Sequence, residues 1–80
     1  MSNNKQQLIF RVIRIKRINV DCPAGEVFDF CGESVSECAK KVCNFLWGKD
    51  RENYLIIKFG NEIELESNDL NDIERQLLLS

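Results

Sequence analysis

The sequence predicts a single α+β domain, in which a four-stranded antiparallel sheet carries two helices in the order β-β-α-β-β-α. Four segments are rich in β-branched and aromatic residues, which favour strands. Two further segments have apolar residues at helical spacing behind a capping residue. The connections within each strand pair are short, which makes both pairs hairpins and the sheet antiparallel. We expect residues 1–80 to form one domain, with residues 1–7 as a flexible N-terminus.

The first hairpin is predicted from two strands, at residues 8–20 and 26–31. Pro23 and Gly25 favour a turn between them, because proline fixes φ and glycine accepts a positive φ. The first strand alternates imperfectly, since apolar residues of both parities meet near positions 12 and 13. Either a bulge exchanges the two faces there, or both faces of the sheet are partly covered.

The first helix is predicted to begin at a capping box formed by Ser34 and Glu37. In this motif the serine hydroxyl accepts a hydrogen bond from the Glu37 amide, and the Glu37 carboxylate accepts one from the Ser34 amide. Gly48 provides the C-terminal stop. One stripe of the helix is apolar and is expected to face the sheet: Val35, Cys38, Ala39, Val42 and Leu46.

The second hairpin is predicted from strands at residues 54–58 and 62–66. A three-residue loop at residues 59–61 pairs Ile57 with Ile63. Burial favours this register, because it collects the aliphatic side chains of both strands on one face of the sheet.

The second helix is predicted to follow a cap at residues 67–69, and its first turn is acidic, which suits the helix dipole. It completes a core to which every predicted element contributes. The predicted core comprises Phe10, Val12, Phe28, Phe30, Val35, Ala39, Val42, Leu46, Leu55, Ile57, Ile63, Leu65, Ile73 and Leu77.

The residue types argue against catalysis. No histidine is present, which removes the commonest general base and the commonest metal ligand. The four glycines stand singly, so there is no glycine-rich phosphate loop. The cysteines lack the closely spaced pairs of a zinc site, and the nearest two, Cys38 and Cys43, lie about 140° apart around a helix. We expect no enzyme activity, no cofactor, no metal and four free thiols.

The signals of a membrane or secreted protein are also missing. The longest apolar runs are three residues long, far short of the roughly 20 that span a bilayer. The first residues are polar and do not resemble a signal peptide. We expect a cytoplasmic protein without a membrane partner.

The charges are divided between the two ends of the chain, although the net charge is only −2. The first twenty residues carry five positive charges and no negative ones, and the last twenty carry six negative charges and one positive. Because local fields steer partners, each end is a candidate partner-binding surface. The acidic surface comprises Glu62, Glu64, Glu66, Asp69 and Asp72, and the basic strand comprises Arg11, Arg14, Lys16 and Arg17.

On a strand, the three glutamates of the acidic surface would project from one face, about 6.6 Å apart. This spacing is similar to the roughly 6–7 Å between neighbouring phosphates along a DNA strand. The acidic surface would then present a row of charges that resembles phosphates to a nucleic-acid-binding protein. The simpler alternative is that these glutamates only form the solvent side of an antiparallel hairpin.

The basic strand suits an acidic protein surface or a phosphate backbone. The acidic net charge, and the lack of aromatic residues among the basic ones, argue against direct binding to DNA or RNA. The alternative is an edge strand whose charges prevent aggregation.

Trp47 lies beside the apolar stripe of the first helix rather than on it. It either covers the packing of the second helix or serves as an exposed anchor for a partner.

Three short motifs follow one another along the chain: Gly32-x-Ser34-x-x-x-Cys38-Ala39-x-x-Val42, Trp47-Gly48 and Asn53-Tyr54-Leu55-Ile56-Ile57. In this order they resemble several small phage-encoded anti-CRISPR proteins, which are single domains with a short antiparallel sheet and a helix after the second strand. The resemblance implies a non-catalytic inhibitor that occludes a nucleic-acid-binding surface of a CRISPR effector complex. Its partner would be a protein or ribonucleoprotein complex in the cytoplasm of a bacterial host.

The segment at residues 32–42, a strand that leads into a serine-capped helix, is also similar to antitoxins of the HicB type. The DNA-binding region that follows in those antitoxins is absent here. The alternative function is a small nucleic-acid-binding or antitoxin-like regulator that uses the basic strand.

Overall fold

A computed structural model describes residues 7–79 and contains the predicted strands and helices in the predicted order, which confirms the fold class. The flexible N-terminus predicted at residues 1–7 lies outside the described residues, apart from Gln7, which is exposed. A 3₁₀ turn at Arg51–Asn53 precedes the third strand. The elements are β1 (Leu8–Arg14), β2 (Val27–Gly32), α1 (Val35–Leu46), β3 (Tyr54–Lys58), β4 (Asn61–Ile63) and α2 (Leu70–Leu79).

The sheet has the strand order β2-β1-β3-β4, and every neighbouring pair is antiparallel. β1 pairs without interruption on both sides, so that Phe10 lies opposite Phe30 on β2 and Lys58 on β3. This continuous register excludes a bulge, so the second parity of apolar residues in β1 faces outward, on a side of the sheet that no helix covers. Phe10 and Val12 are fully buried on the inner face, which the helices cover, while Ile13 is half-buried on the outer face.

β1 is shorter than predicted, because it ends at Arg14 rather than at residue 20. Residues 15–26 form a long connection to β2, which we call the arm. Ile15 still donates from its amide to the Asn53 carbonyl at 2.8 Å, and at the other end of the arm the Gly25 amide donates to the Arg14 carbonyl at 2.6 Å. Between these ends, the backbone of Ile18 and Asn19 bonds to Cys22 within the arm rather than to a strand of the sheet. Every arm residue except Cys22 is exposed. The β-branched side chains of this segment therefore do not form a strand, because they have no strand to pair with.

The second hairpin has a different register from the predicted one. A two-residue turn, Phe59-Gly60, joins β3 to β4, and Ile63 lies opposite Ile56 rather than Ile57. Both turn residues have a positive φ, 53° for Phe59 and 81° for Gly60, as the type I′ turn of a two-residue hairpin requires. The predicted three-residue loop and its pairing are wrong.

Two contacts outside the hairpin explain this register. The Phe59 ring packs edge-on against Phe10, with 5.8 Å between the ring centroids, and this contact offsets the cost of a phenylalanine at positive φ. Lys58 is only 6% exposed on the inner face, and its amine donates to the Leu77 carbonyl at 2.8 Å. A cation at this position complements the partial negative charge at the C-terminus of α2.

The core lies between the inner face of the sheet and the two helices. The observed register places Tyr54 and Ile56 in this core, whereas the predicted members Leu55 and Ile57 are only half-buried on the outer face. The buried core comprises Phe10, Val12, Cys38, Ala39, Val42, Cys43, Leu46, Tyr54, Ile56, Ile63, Leu65, Ile73 and Leu77, with Leu8, Phe28, Phe30, Val35, Phe45 and Leu70 packed against it.

α1 begins at the predicted N-cap, where the Ser34 Oγ accepts a hydrogen bond from the Glu37 amide at 3.1 Å. The Glu37 carboxylate accepts from the Glu33 amide at 3.1 Å, one residue before the predicted donor, and this bond lowers the pKa of Glu37. Gly48 follows the helix with a φ of 75°, as a C-terminal stop requires.

The two helices have 12 and 10 residues. Within residues 7–79, no helix combines the length and the apolar character that are needed to cross a membrane.

Candidate partner-binding surfaces

Arg14 belongs to the predicted basic strand, but it is buried on the inner face. Only 5% of the residue is exposed, and its guanidinium group lies near the rings of Phe28 and Tyr54, 5.2 and 5.5 Å from their centroids. Its Nε donates to the Tyr54 hydroxyl at 3.2 Å, and its Nη1 forms an ion pair with Glu26. The hydrogen bond to Tyr54 is the main cause of the raised pKa of Arg14. Arg14 therefore links β1 to β3 and to the end of the arm, and it is not accessible to a partner.

Arg11 lies on the outer face and is paired within the chain. Its Nε and Nη2 donate to the two carboxylate oxygens of Asp29 on the neighbouring strand, at 2.9 and 3.3 Å. The hydrogen bond from Arg11 holds the pKa of Asp29 below its ordinary value, so the carboxylate stays ionised. The positive charge of Arg11 is thus balanced by the negative charge of Asp29.

Lys16 and Arg17 complete the basic strand, but they lie in the arm rather than on β1. Both are exposed, and neither forms an ion pair within residues 7–79. The predicted basic strand is therefore divided, with two arginines used inside the fold and two cations available on the arm.

β4 ends at Ile63, so Glu64 and Glu66 do not lie on a strand as predicted. The alternation of burial nevertheless continues past the strand: Ile63 and Leu65 are buried, while Glu62, Glu64 and Glu66 are exposed. The three glutamates therefore reach solvent, but strand geometry does not fix their spacing.

Arg51 explains why β4 separates from β3. The Tyr54 amide donates to the Arg51 carbonyl in the 3₁₀ turn, so it does not extend the pairing with the residues after β4. The Arg51 guanidinium group instead donates to the Leu65 carbonyl at 2.8 Å, and the Asn68 side chain accepts from the Arg51 amide at 2.9 Å. The side chain of Gln76 on α2 also bonds to this segment. Hydrogen bonds from side chains, rather than backbone pairing with β3, therefore hold the residues after β4 in place.

The acidic surface is exposed at all five of its residues. Asp69 is the N-cap of α2, since its carboxylate accepts from the Asn71 amide at 2.8 Å. Asp72 lies 3.8 Å from Arg75 on the same helix. Among the residues that the structure describes, this is the only ion pair of the acidic surface. Four of the five carboxylates therefore form no ion pair within this part of the chain.

A groove of about 570 Å³ connects the acidic surface with the base of the arm. Its lining includes Ile15 and Leu55, together with Glu62 and Glu64. Arg51 also contributes, and its buried Nε has no hydrogen-bond partner among the described residues. The groove offers a partner apolar surface and charges of both signs, since Lys16 also lines it.

Trp47 follows the last residue of α1, and 73% of its surface is exposed. The sequence left two alternatives for Trp47, a side chain packed over α2 or an exposed anchor. The side chain is exposed. An exposed tryptophan is suited to anchor a partner.

The outer face of the sheet was not singled out from the sequence. Ile9 and Val27 are 50% and 48% exposed there, and no helix covers them. Its trace in the sequence is the imperfect alternation of the first strand, because Ile9 and Ile13 have the opposite parity to the buried Phe10 and Val12 and therefore lie on this outer face. We call it the open sheet face, and its apolar residues are Ile9, Ile13, Val27, Leu55 and Ile57.

The four cysteines are free thiols. Cys38 and Cys43 are buried, and burial raises the pKa of Cys43 to about 11, so this thiol is protonated and unreactive near neutral pH. Cys22 and Cys31 are half-buried. Within residues 7–79, no three cysteine or acidic side chains converge as a metal site requires.

No protein-family model matches this chain, and no significant similarity to a curated protein or to a solved structure was found.

Proposed function

We propose that this chain is a non-catalytic protein-binding module whose acidic surface contacts a basic, nucleic-acid-binding surface of its partner. One observation carries the proposal: the acidic surface keeps four carboxylates without an ion pair among the described residues, whereas Arg11 and Arg14 are both paired internally. The acidic pole thus keeps four charges without an ion pair, whereas the basic strand keeps two, Lys16 and Arg17. Unpaired exposed charges steer association and select partners of opposite sign.

The partner is a nucleic-acid-processing complex of a bacterial host, met in the cytoplasm. The resemblance to small phage-encoded anti-CRISPR proteins supports a CRISPR effector complex as this partner. The module acts by occlusion, since a bound acidic surface excludes the phosphates that the same basic groove would otherwise hold. The groove beside Glu62 and Glu64 supports such a contact by adding apolar area to the charges.

The rival function is a nucleic-acid-binding or antitoxin-like regulator. Lys16 and Arg17 on the arm favour it, because both are exposed and lack an ion pair within the described part of the chain. Two phosphate contacts give weak binding with a shallow salt dependence, since the slope of affinity against salt scales with the number of phosphates neutralised.

Two measurements on the purified chain separate these functions. In the first, a CRISPR effector complex binds its labelled target DNA in the presence of increasing amounts of the chain. In the second, the chain alone is passed over immobilised DNA and RNA at low salt. We expect loss of target binding in the first and no retention in the second. Retention on nucleic acid that disappears with added salt would support the regulator instead, and an unaffected effector would contradict the proposed function for that class of partner.

A further inference from the structure

The open sheet face is an apolar surface with no element of the described chain packed on it. Across the sheet, Val27, Ile13 and Leu55 lie in one row, because each faces the next across a strand pair. Ile57 lies in the adjacent row. Face-to-face packing of two such surfaces is a common way to cover a sheet.

The charges at the centre of this face are paired with each other, so covering them costs less than covering an unpaired charge. Arg11 and Asp29 stand in the same row as Ile57, and their two hydrogen bonds neutralise both charges. A surface that packs on this face therefore needs no charged group opposite Arg11 and Asp29. A surface with the same neutral pair and the same aliphatic residues meets that requirement.

The rim of the face carries opposite charges on two adjacent borders. Lys16 and Arg17 lie where the arm leaves the end of β1, and Glu62 lies opposite Ile57 on the lateral edge strand β4. Consider a two-fold axis that lies in the plane of the face and runs diagonally, midway in direction between these two borders. Rotation about this axis places the arm border of one copy on the β4 border of the other. It brings each arm to the acidic edge of the other copy, with strands that cross at about 90°, the orthogonal class of sheet packing.

We propose that a second copy of this chain covers the open sheet face. Its two-fold symmetry joins Lys16 of each copy to Glu62 of the other, around the aliphatic residues and the paired Arg11 and Asp29 of the face. Aligned packing of the sheets would not place these borders together, so the charges select the orthogonal arrangement.

The dimer is weak, because the face is small. Four strands about 4.8 Å apart, with about five residues each at about 3.3 Å, give a footprint on the order of 300 Å². Stable interfaces bury about 800 Å² on each partner. The exposed apolar residues of the arm, Ile15, Ile18 and Val20, add to the area but leave an association that depends on protein concentration.

This inference does not rest on the proposed function, although both use Glu62. The arrangement leaves Glu66, Asp69 and Asp72 outside the contact, so a dimer would still present that part of each acidic surface. Self-association is measured on the chain alone, so its failure leaves the proposed partner untouched.

Sedimentation equilibrium of the full chain over a range of concentrations tests the surface. We expect the average mass to rise from monomer towards dimer, and Ile9→Glu to abolish the rise. Leu79→Glu is the matched control, since Leu79 is an exposed aliphatic residue on α2, away from the sheet. It should dimerise like the parent. A parent that stays monomeric throughout, or a Leu79→Glu variant that loses dimerisation while Ile9→Glu keeps it, would overturn the proposal.

A charge exchange tests the symmetry. Lys16→Glu and Glu62→Lys should each weaken dimerisation, because each homodimer then brings like charges together twice. An equimolar mixture of the two variants should recover it, since both contacts of the mixed dimer pair opposite charges. Thermal melts establish that each variant is folded. A mixture no better than either variant alone would refute the orthogonal two-fold arrangement.

Discussion

Arg11 and Arg14 carry the same side chain three positions apart on β1, and the fold uses them in opposite ways. An odd separation on a strand places them on opposite faces. Arg11 remains half-exposed beside Asp29, whereas Arg14 is enclosed by two aromatic rings and bonded to Glu26. The alternation could be counted from the sequence. What the sequence did not indicate is that the inner face would accept an arginine, because its partners come from distant parts of the chain.

We expect Arg14→Glu to abolish cooperative unfolding or to lower the urea midpoint strongly. The new carboxylate would be buried beside Glu26 without a cation, and the Tyr54 hydroxyl would lose its bond. Arg11→Glu should lower the midpoint only modestly, because it replaces an exposed ion pair by two like charges that solvent screens. Urea denaturation followed by circular dichroism compares them. Equal midpoints for the two variants would contradict the assignment of Arg14 to the core.

At the scale of elements, the sequence predicts the features that depend on neighbouring residues, but not those that depend on residues distant along the chain. Both helices and the Ser34 cap follow from residues within one turn of each other, and the structure confirms them. The register of the second hairpin depends on Lys58 and Phe59, whose contacts with Leu77 and Phe10 are distant in sequence. A rule that collects aliphatic residues on one face cannot foresee a buried lysine. The arm has the composition of a strand, which is why the sequence predicts one, but it does not form a strand because most of it has no neighbouring strand to pair with.

The two registers make opposite predictions for neighbouring isoleucines. In the structure, Ile56 is fully buried and Ile57 lies half-buried on the outer face. Ile56→Ala should reduce the free energy of unfolding by about 2–5 kcal/mol, the usual cost of truncating a buried isoleucine. Ile57→Ala should cost about 1 kcal/mol or less, because little buried volume is lost. Denaturant titration of both variants decides the matter. A larger loss for Ile57→Ala than for Ile56→Ala would restore the register predicted from sequence.

For the molecule as a whole, the division of charge was visible in the sequence, but its availability was not. Counting residues located the two poles. Only the fold shows that two of the four cations in the basic strand are consumed by internal pairs, while the acidic surface keeps most of its charge. The open sheet face was likewise present in the sequence as an imperfect alternation. Neither the partner nor the dimer could be deduced there, because both depend on which side chains remain uncovered after folding.

The measurement that most directly tests the central claim is the inhibition of target-DNA binding by two charge-reversed variants. The first, Glu64→Lys with Glu66→Lys, alters the acidic surface but leaves the core and Glu62 unchanged. The second, Asp21→Lys with Glu33→Lys, replaces two exposed carboxylates elsewhere and is the control for net charge.

We predict that the first variant needs roughly tenfold more protein or more for half-inhibition, a loss of about 1.4 kcal/mol in binding. The control should resemble the parent chain, because its altered residues lie away from the contact. Thermal melts of both variants confirm that they are folded. Equal inhibition by the two variants, or a greater loss in the control, would contradict the claim that the acidic surface holds the partner.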